Sequence, residues 1–220
     1  MNSSIQSMQQ AMDTGLLWPG REGQHSKACG LSSQLPLFDQ LLPEQGWPRH
    51  ALVEIQHSRP GLGELSLVMP ALAKLSQQKR WILWVAPPLR PNAKALKQHG
   101  LNLDHLLFVY PKDNQEALWC MEEALKSGSC SAVLGWPQQL NAQEARRLQV
   151  AAGKGKSQCW LWMNEKQSSG ISPAALKMAI HGHDKPEINQ SLDIELLKRR
   201  GAWPLATQSI SLTSKQRVLS

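Results

Sequence analysis

The feature that most constrains the fold is a repeated alternation of short apolar segments with helices that carry their own start and stop signals. Ala51 to Ile55 (ALVEI) reads as a buried strand. A turn follows, Ser58-Arg59-Pro60-Gly61-Leu62-Gly63, and then a helical stripe of Leu65, Val68, Met69, Leu72 and Leu75. Pro70 interrupts that stripe. An interior proline costs roughly 3 kcal/mol, which predicts a kink or a late helix start. Trp81 to Ala86 (WILWVA) is the second strand, ended by Pro87-Pro88. A short helix over Asn92 to His99 stops at Gly100, and Leu106 to Tyr110 is the third strand. Asp113 with Glu116 and Asn141 with Glu144 form capping-box pairs for two further helices, the first stopped by Gly128 and the second running to about Ala152. Ala132 to Leu134 and Cys159 to Met163 supply the fourth and fifth strands. Leu176 to Ile180 and Leu192 to Leu197, joined by a short loop, are expected to pair antiparallel.

Such alternation implies an α/β fold with a mostly parallel sheet and helices on both faces. The expected organisation is a loosely ordered arm over residues 1–32, one core domain over 33–203 and a tail over 204–220. No apolar run approaches the ~20 residues that span a bilayer, and the polar N-terminus lacks a secretory pattern, so a cytoplasmic location is expected. The cysteines Cys29, Cys120, Cys130 and Cys159 are scattered singly, without zinc spacing. His181-Gly182-His183-Asp184 reads as a turn rather than a metal site. No metal, cofactor or catalytic residue is expected. Net charge is +7, and residues 141–220 carry 12 Lys/Arg against 6 Asp/Glu, which favours an acidic partner or a solvated basic face. The candidate contact residues are Lys198, Arg199 and Arg200 at the end of a strand, and Arg146 and Arg147 on a helix, where Lys154 and Lys156 also complement the helix dipole. Nine tryptophans accompany only two phenylalanines and one tyrosine, and the strand tryptophans are expected in the core.

Strand, glycine turn and helix together form the framework of a phosphate-binding loop. That chemistry needs a lysine on the β/γ-phosphates and a hydroxyl on magnesium. In the frame that places Gly63 at the last glycine of G-x-x-x-x-G-K-[ST], Ser58 takes the first glycine, Glu64 the lysine and Leu65 the hydroxyl. Exchanging attraction for repulsion at ~4 Å and an effective dielectric of about 20 is a swing of several kcal/mol against a triphosphate. The turn Ser58, Gly61, Gly63, Glu64, Leu65 is therefore expected to be a degenerate P-loop.

The order of segments resembles the RecA recombinase fold over roughly residues 33 to 201. "LPLFDQLLPEQGWPRHALVEI" is similar to the lead-in to its P-loop strand, and "GLNLDHLLFVYPKDNQEALWCMEEALKSGSCSAVLGW" to its third strand, helix and Walker B strand. The resemblance implies a RecA-like, P-loop NTPase-type sheet with antiparallel closing strands. It places the RecA catalytic glutamate at Pro87 or Pro88 and the Walker B aspartate at Gly135-Trp136, so hydrolysis is not expected. Gly46-Trp47-Pro48, "GLGELSLVMPALAKL", "RWILWVAPP", "EARRLQVAAGKG" and "LKRRG" resemble the ImuA family. That resemblance implies an accessory role in SOS-induced translesion synthesis, through contacts with ImuB, the ImuC DnaE-type polymerase and RecA or DNA. "LVMPALAKLSQQKRWILWVAPP", "LKSGSCSAVLGW" and "LNAQEARRLQVAAGKG" also resemble SulA, the division inhibitor that binds FtsZ. The segment Leu35 to Ile55 and the closing strands to Lys198-Arg199-Arg200-Gly201 favour ImuA over SulA. Gln34-Leu35-Pro36-Leu37-Phe38 resembles a sliding-clamp-binding peptide, but the same residues fit the RecA-like lead-in, which puts Leu37 and Phe38 in the core.

Overall fold

The computed structural model describes residues 30–57, 61, 63–164, 172–181 and 191–212. Among these, eight strands form a single sheet: β1 (Leu52–His57), β2 (Trp81–Val85), β3 (Leu106–Val109), β4 (Cys130–Gly135), β5 (Gln158–Asn164), β6 (Leu176–His181), β7 (Ser191–Arg199) and β8 (Leu205–Ser211). Their order is β3-β2-β4-β5-β1-β6-β7-β8. The strands from β3 to β6 run parallel, and β7 and β8 close the sheet antiparallel. The parallel strands β1 and β4 are buried along their whole length, as a sheet covered on both faces requires.

The helices are α1 (Pro36–Leu41), α2 (Met69–Ser76), α3 (Ala93–Gln98), α4 (Asn114–Ser127) and α5 (Ala142–Lys154). One face of the sheet packs on α1, α2 and α3 through Val53, Ile55, Trp84, Trp160 and Trp162. The other packs on α4 and α5 through Leu83, Val85, Val133, Cys159 and Leu161. Alternation along each strand assigns its residues to these two cores.

The local signals account for most boundaries. Pro70 sits in the first turn of α2, where its missing N–H is harmless, and a 3-10 turn, Glu64–Leu67, precedes it. Asn141 and Glu144 exchange both capping-box hydrogen bonds at α5. At α4 only half of the expected box forms. Asp113 accepts from the Glu116 N–H, while the Glu116 carboxylate accepts from the Lys112 N–H instead of that of Asp113. Gly128 ends α4 in the left-handed conformation.

Three expectations change. Residues 205–211, expected within a tail, add β8 to the sheet. Gly30 to Ser32, expected within an arm, are anchored: Leu31 and Trp47 exchange backbone hydrogen bonds at 2.9 and 2.8 Å, and the Ser32 hydroxyl donates to the Asp39 carboxylate at 2.7 Å. Gly46 is needed there, because a Cβ on it would lie 2.8 Å from the Leu31 carbonyl oxygen. Residues 1–29 of the arm and 213–220 of the tail lie outside the described residues. Finally, Leu37 is 62% exposed, not core, while Phe38 beside it is fully buried.

Candidate functional site

The turn after β1 was singled out by sequence because its residues occupy a phosphate-loop position. Ser58 lies outside the described residues. Gly61 and Gly63 are both left-handed, at φ 85° and 91°, a conformation that favours glycine. Gly63 caps the 3-10 turn that Glu64 opens. The Glu64 side chain folds back, and its Oε1 accepts the Gly61 N–H at 3.1 Å. Its Oε2 is buried and makes no hydrogen bond. A backbone amide of the turn is therefore directed at a resident carboxylate, so an incoming anion would meet negative charge where it needs a donor. Leu65 is partly buried against the core and offers no hydroxyl.

The two other positions marked by the recombinase likeness are filled by packing. After β2, Pro87 is buried and Pro88 exposed. At the end of β4, a Cβ on Gly135 would lie 2.2 Å from the Met121 sulfur, so α4 has taken that space. Trp136 stacks between Trp162, at 4.8 Å and 13° between planes, and Trp84, at 5.5 Å and 29°. Trp84 in turn meets Phe108 at 5.7 Å. An aromatic row thus crosses β5, β4, β2 and β3 near their carboxyl ends. Trp160 continues the same face of β5 and receives Trp47 edge-on, 5.8 Å away at 88°, and Trp47 packs on Phe38 at 4.9 Å. The expectation that the strand tryptophans belong to the core fits Trp84, Trp160 and Trp162, whereas Trp81 is 39% exposed.

The basic candidates are not brought together. Arg199 is held inside the fold: its Nη1 donates to the Leu41 carbonyl at 2.6 Å and its Nε to the Trp203 carbonyl at 2.7 Å. It clamps α1 to the connection between β7 and β8. Lys198 donates to the Ser172 carbonyl. Arg200 is exposed. Arg147 pairs with Glu122 across a groove of about 420 Å³ between α4 and α5, lined also by Trp119 and Glu144, and Arg146 is exposed on α5. Since α5 covers β5 and β1 on one face while β7 lies beyond β6, the two clusters occupy separate regions. Gln34, Leu37 and Phe38 cannot present together, because Phe38 is enclosed by the core.

Two features escaped sequence reasoning. Arg80, just before β2, donates to the carbonyls of Cys130, Lys156 and Gly155, tying the ends of β4 and α5 together. Glu54 is buried in the middle of β1 and accepts from the Ser172 hydroxyl. Burial holds its carboxyl above the ordinary range, an effect partly offset by the Ser172 hydrogen bond and by the charges of Lys177 and Lys198 on the neighbouring strands. A lone Glu in an apolar run (ALVEI) was the available signal. The thiols of Cys120, Cys130 and Cys159 are all pushed up by burial, which fits inert side chains. Of His181-Gly182-His183-Asp184 only His181 is described, beside Glu195 at 3.4 Å.

Comparison with known proteins places this geometry. The family model described as "Cell division inhibitor SulA" matches residues 50–159, half of the chain. The chain belongs to the SulA family. SulA of Edwardsiella piscicida is 38% identical over 94 residues, covering 42% of this chain and 56% of that protein. SulA of Serratia marcescens is 31% identical over 117 residues, covering 53% and 64%. The chain thus spans less than two thirds of the length of either relative. The crystal structure of SulA from Pseudomonas aeruginosa matches with 30% identity, 51% of this chain, 97% of that one and a TM-score of 0.43.

These findings overturn the assignment to ImuA and to SOS-induced translesion synthesis, and with it ImuB, ImuC and RecA or DNA as the expected partners. The physical reason is where the discriminating segments lie. Most of the segments that resemble ImuA are shared with SulA, and the two features used to separate the families, α1 with its approach to β1 and the closing strands, fall outside residues 50–159. The family match therefore does not extend to them. No helix among the described residues is long and apolar enough to cross a membrane.

Proposed function

We propose that this chain is a cell-division inhibitor that acts by binding FtsZ, in the cytoplasm and without nucleotide turnover. The observation that carries the reading is the match of residues 50–159 to a family of division inhibitors. The turn geometry supports a binding role: Glu64 occupies the Gly61 amide, Met121 fills the space at Gly135, and Trp136 is locked in an aromatic stack. We read the scaffold as a RecA-like sheet over residues 33–203, extended by β8, with a degenerate nucleotide site at Ser58–Leu65 and Gly135-Trp136. The strand order with parallel β1 to β6 and antiparallel β7 and β8 supports that reading. Lys198, Arg199 and Arg200, and Arg146 and Arg147, are not assigned as one contact surface; exposed Arg200 and Arg146 are the members able to meet a partner.

The test is overexpression with purified-protein assays. Filamentous cells, and FtsZ GTPase activity that falls with added protein, are expected. Normal division with unaffected GTPase at molar excess would refute the reading. MgATP is expected to leave the thermal midpoint unchanged, since a ligand that binds only the folded state at 100 times its Kd would contribute about 2.7 kcal/mol. Hydrolysis above background that survives Glu64→Ala would reject the degenerate site.

A further inference from the structure

The turn between β7 and β8 carries the most exposed large apolar side chain among the described residues, Trp203 at 87%. Arg200 before it and Pro204 after it are exposed as well. Single apolar side chains are common on protein surfaces. The backbone of this tip, however, is fixed at several points. The Arg200 N–H donates to the Ala175 carbonyl at 2.8 Å, and the Ala202 N–H to the Arg199 carbonyl at 3.1 Å across a left-handed Gly201. The Arg199 guanidinium donates both to the Trp203 carbonyl and, at 2.6 Å, to the Leu41 carbonyl at the end of α1. Such restraint removes much of the ordering cost that a contact through Trp203 would otherwise meet.

The Arg199 clamp also joins Trp203 to further apolar surface. Leu37, exposed, lies one helical turn before Leu41 on the same side of α1. Beyond Leu41, the side chains of Leu42, Pro43 and Pro48 line a shallow recess together with Arg199 and Arg200. Glu44 is the one acidic residue among the described residues that line it. The hydrogen-bond partners of Arg199 are carbonyls, which leave its charge uncompensated, and Arg200 forms no ion pair among the described residues.

We propose that this surface binds an acidic peptide segment of another protein. Bulky apolar residues of the segment cover Trp203 and Leu37, and a neighbouring Asp or Glu meets Arg200. Tryptophan and arginine are the residues that most often dominate the binding energy of protein interfaces. An anionic bilayer fits less well, because it is held by clusters of roughly 4–8 cations and α1 (PLFDQL) supplies none. Every residue of the surface lies outside 50–159. The proposal therefore goes beyond the FtsZ reading, which rests on that stretch, and stands whether or not FtsZ is bound.

The test selects a random dodecapeptide phage library on the full wild-type chain, with counter-selection on Trp203→Ala. Enriched peptides are expected to combine Leu, Phe or Trp with Asp or Glu. A fluorescein-labelled synthetic copy of the enriched sequence is then titrated by anisotropy. Trp203→Ala and Arg200→Glu are each expected to weaken it about tenfold or more. Replacing its acidic residues by lysine is expected to abolish binding to the wild type and to restore it on Arg200→Glu. Both substitutions keep the Trp203 carbonyl and the Arg200 N–H that fix the turn, so the urea midpoints are expected to stay unchanged. A library that enriches basic or uncharged peptides, or none that distinguish the wild type from Trp203→Ala, would overturn the proposal. So would co-sedimentation of the wild type, but not of Trp203→Ala, with vesicles of phosphatidylcholine and phosphatidylglycerol, which assigns the surface to a membrane. Self-association of the wild type that Trp203→Ala abolishes would also overturn it, assigning the surface to a second copy.

Discussion

Truncating Phe38 to alanine separates a core residue from an exposed recognition peptide. Phe38 is fully buried, packed on Trp47 at 4.9 Å, and Trp47 carries the contact on to Trp160 in the sheet. Removing a buried phenyl ring costs its transfer free energy plus the cavity left behind, about 3–5 kcal/mol. The upper part of that range applies, because α1 is held on both sides. The Asp39 carboxylate binds Ser33, and the Leu41 carbonyl accepts from Arg199. The helix is pinned at each end and cannot collapse into the cavity. For a chain of this size each kcal/mol lowers the thermal midpoint by roughly 2–4 °C, so a loss of about 4–5 kcal/mol is expected to lower it by about 8–20 °C. Leu37→Ala, one residue earlier and 62% exposed, is expected to change stability by less than about 0.5 kcal/mol. Urea titration of both variants, with the m-value checked for constancy, reads the contrast. Equal losses at the two positions, or a Phe38→Ala loss below about 1 kcal/mol, would refute the assignment of Phe38 to the core.

Glu54→Gln keeps an acceptor for the Ser172 hydroxyl and removes the buried charge. Because burial raises the Glu54 pKa in the folded state, the folded chain holds its proton to higher pH than the unfolded chain does. Stability of the wild type relative to Glu54→Gln is therefore expected to fall as pH rises from about 4.5 through the folded-state value, read by urea midpoints at a series of pH values. The opposite slope would mean that Lys177 and Lys198 outweigh burial. Gly155→Ala would place a Cβ 1.8 Å from the Leu125 carbonyl oxygen, forcing the end of α4 away from the end of α5. A loss of about 2–4 kcal/mol is expected in the same titration, and a loss under about 0.5 kcal/mol would show that the two ends separate freely.

What the sequence made legible is what short-range chemistry controls. The cap at Asn141, the left-handed stop at Gly128 and the late helix start at Pro70 are each decided within a few residues, and their positions held. The fate of Glu64 was legible in part. Its charge argued against a phosphate-binding mode, but its acceptance of the Gly61 N–H depends on how two left-handed glycines turn the chain. Features created by distant pairing were hidden. Leu106 to Tyr110 reads as an ordinary strand, and only the sheet order makes it an edge. Residues 205–211 lack the apolar alternation of a central strand, because β8 is an edge that buries only Ile210 well. Arg80 looks like a surface residue until β4 and α5 bring three carbonyls to it. The choice of family failed for a related reason: likeness across many short segments cannot separate relatives that share those segments.

The matched stretch is not a self-sufficient unit in this chain. It stops at Cys159, the second residue of β5, and so excludes Trp160 and Trp162. Trp160 anchors Trp47 and, through it, Phe38 and α1. Trp162 anchors Trp136, Trp84 and Phe108. Both lines of contact start on β5 and run in opposite directions, one to the segment before residue 50 and one across the strands of the matched stretch to the β3 edge. The aromatic line crosses the carboxyl ends of β2 and β4. Trp136, stacked on Trp162 at 4.8 Å, fills the end of β4 with packing. A chain that carries its rigidity through Trp162, Trp136 and Trp84 has committed those positions to structure.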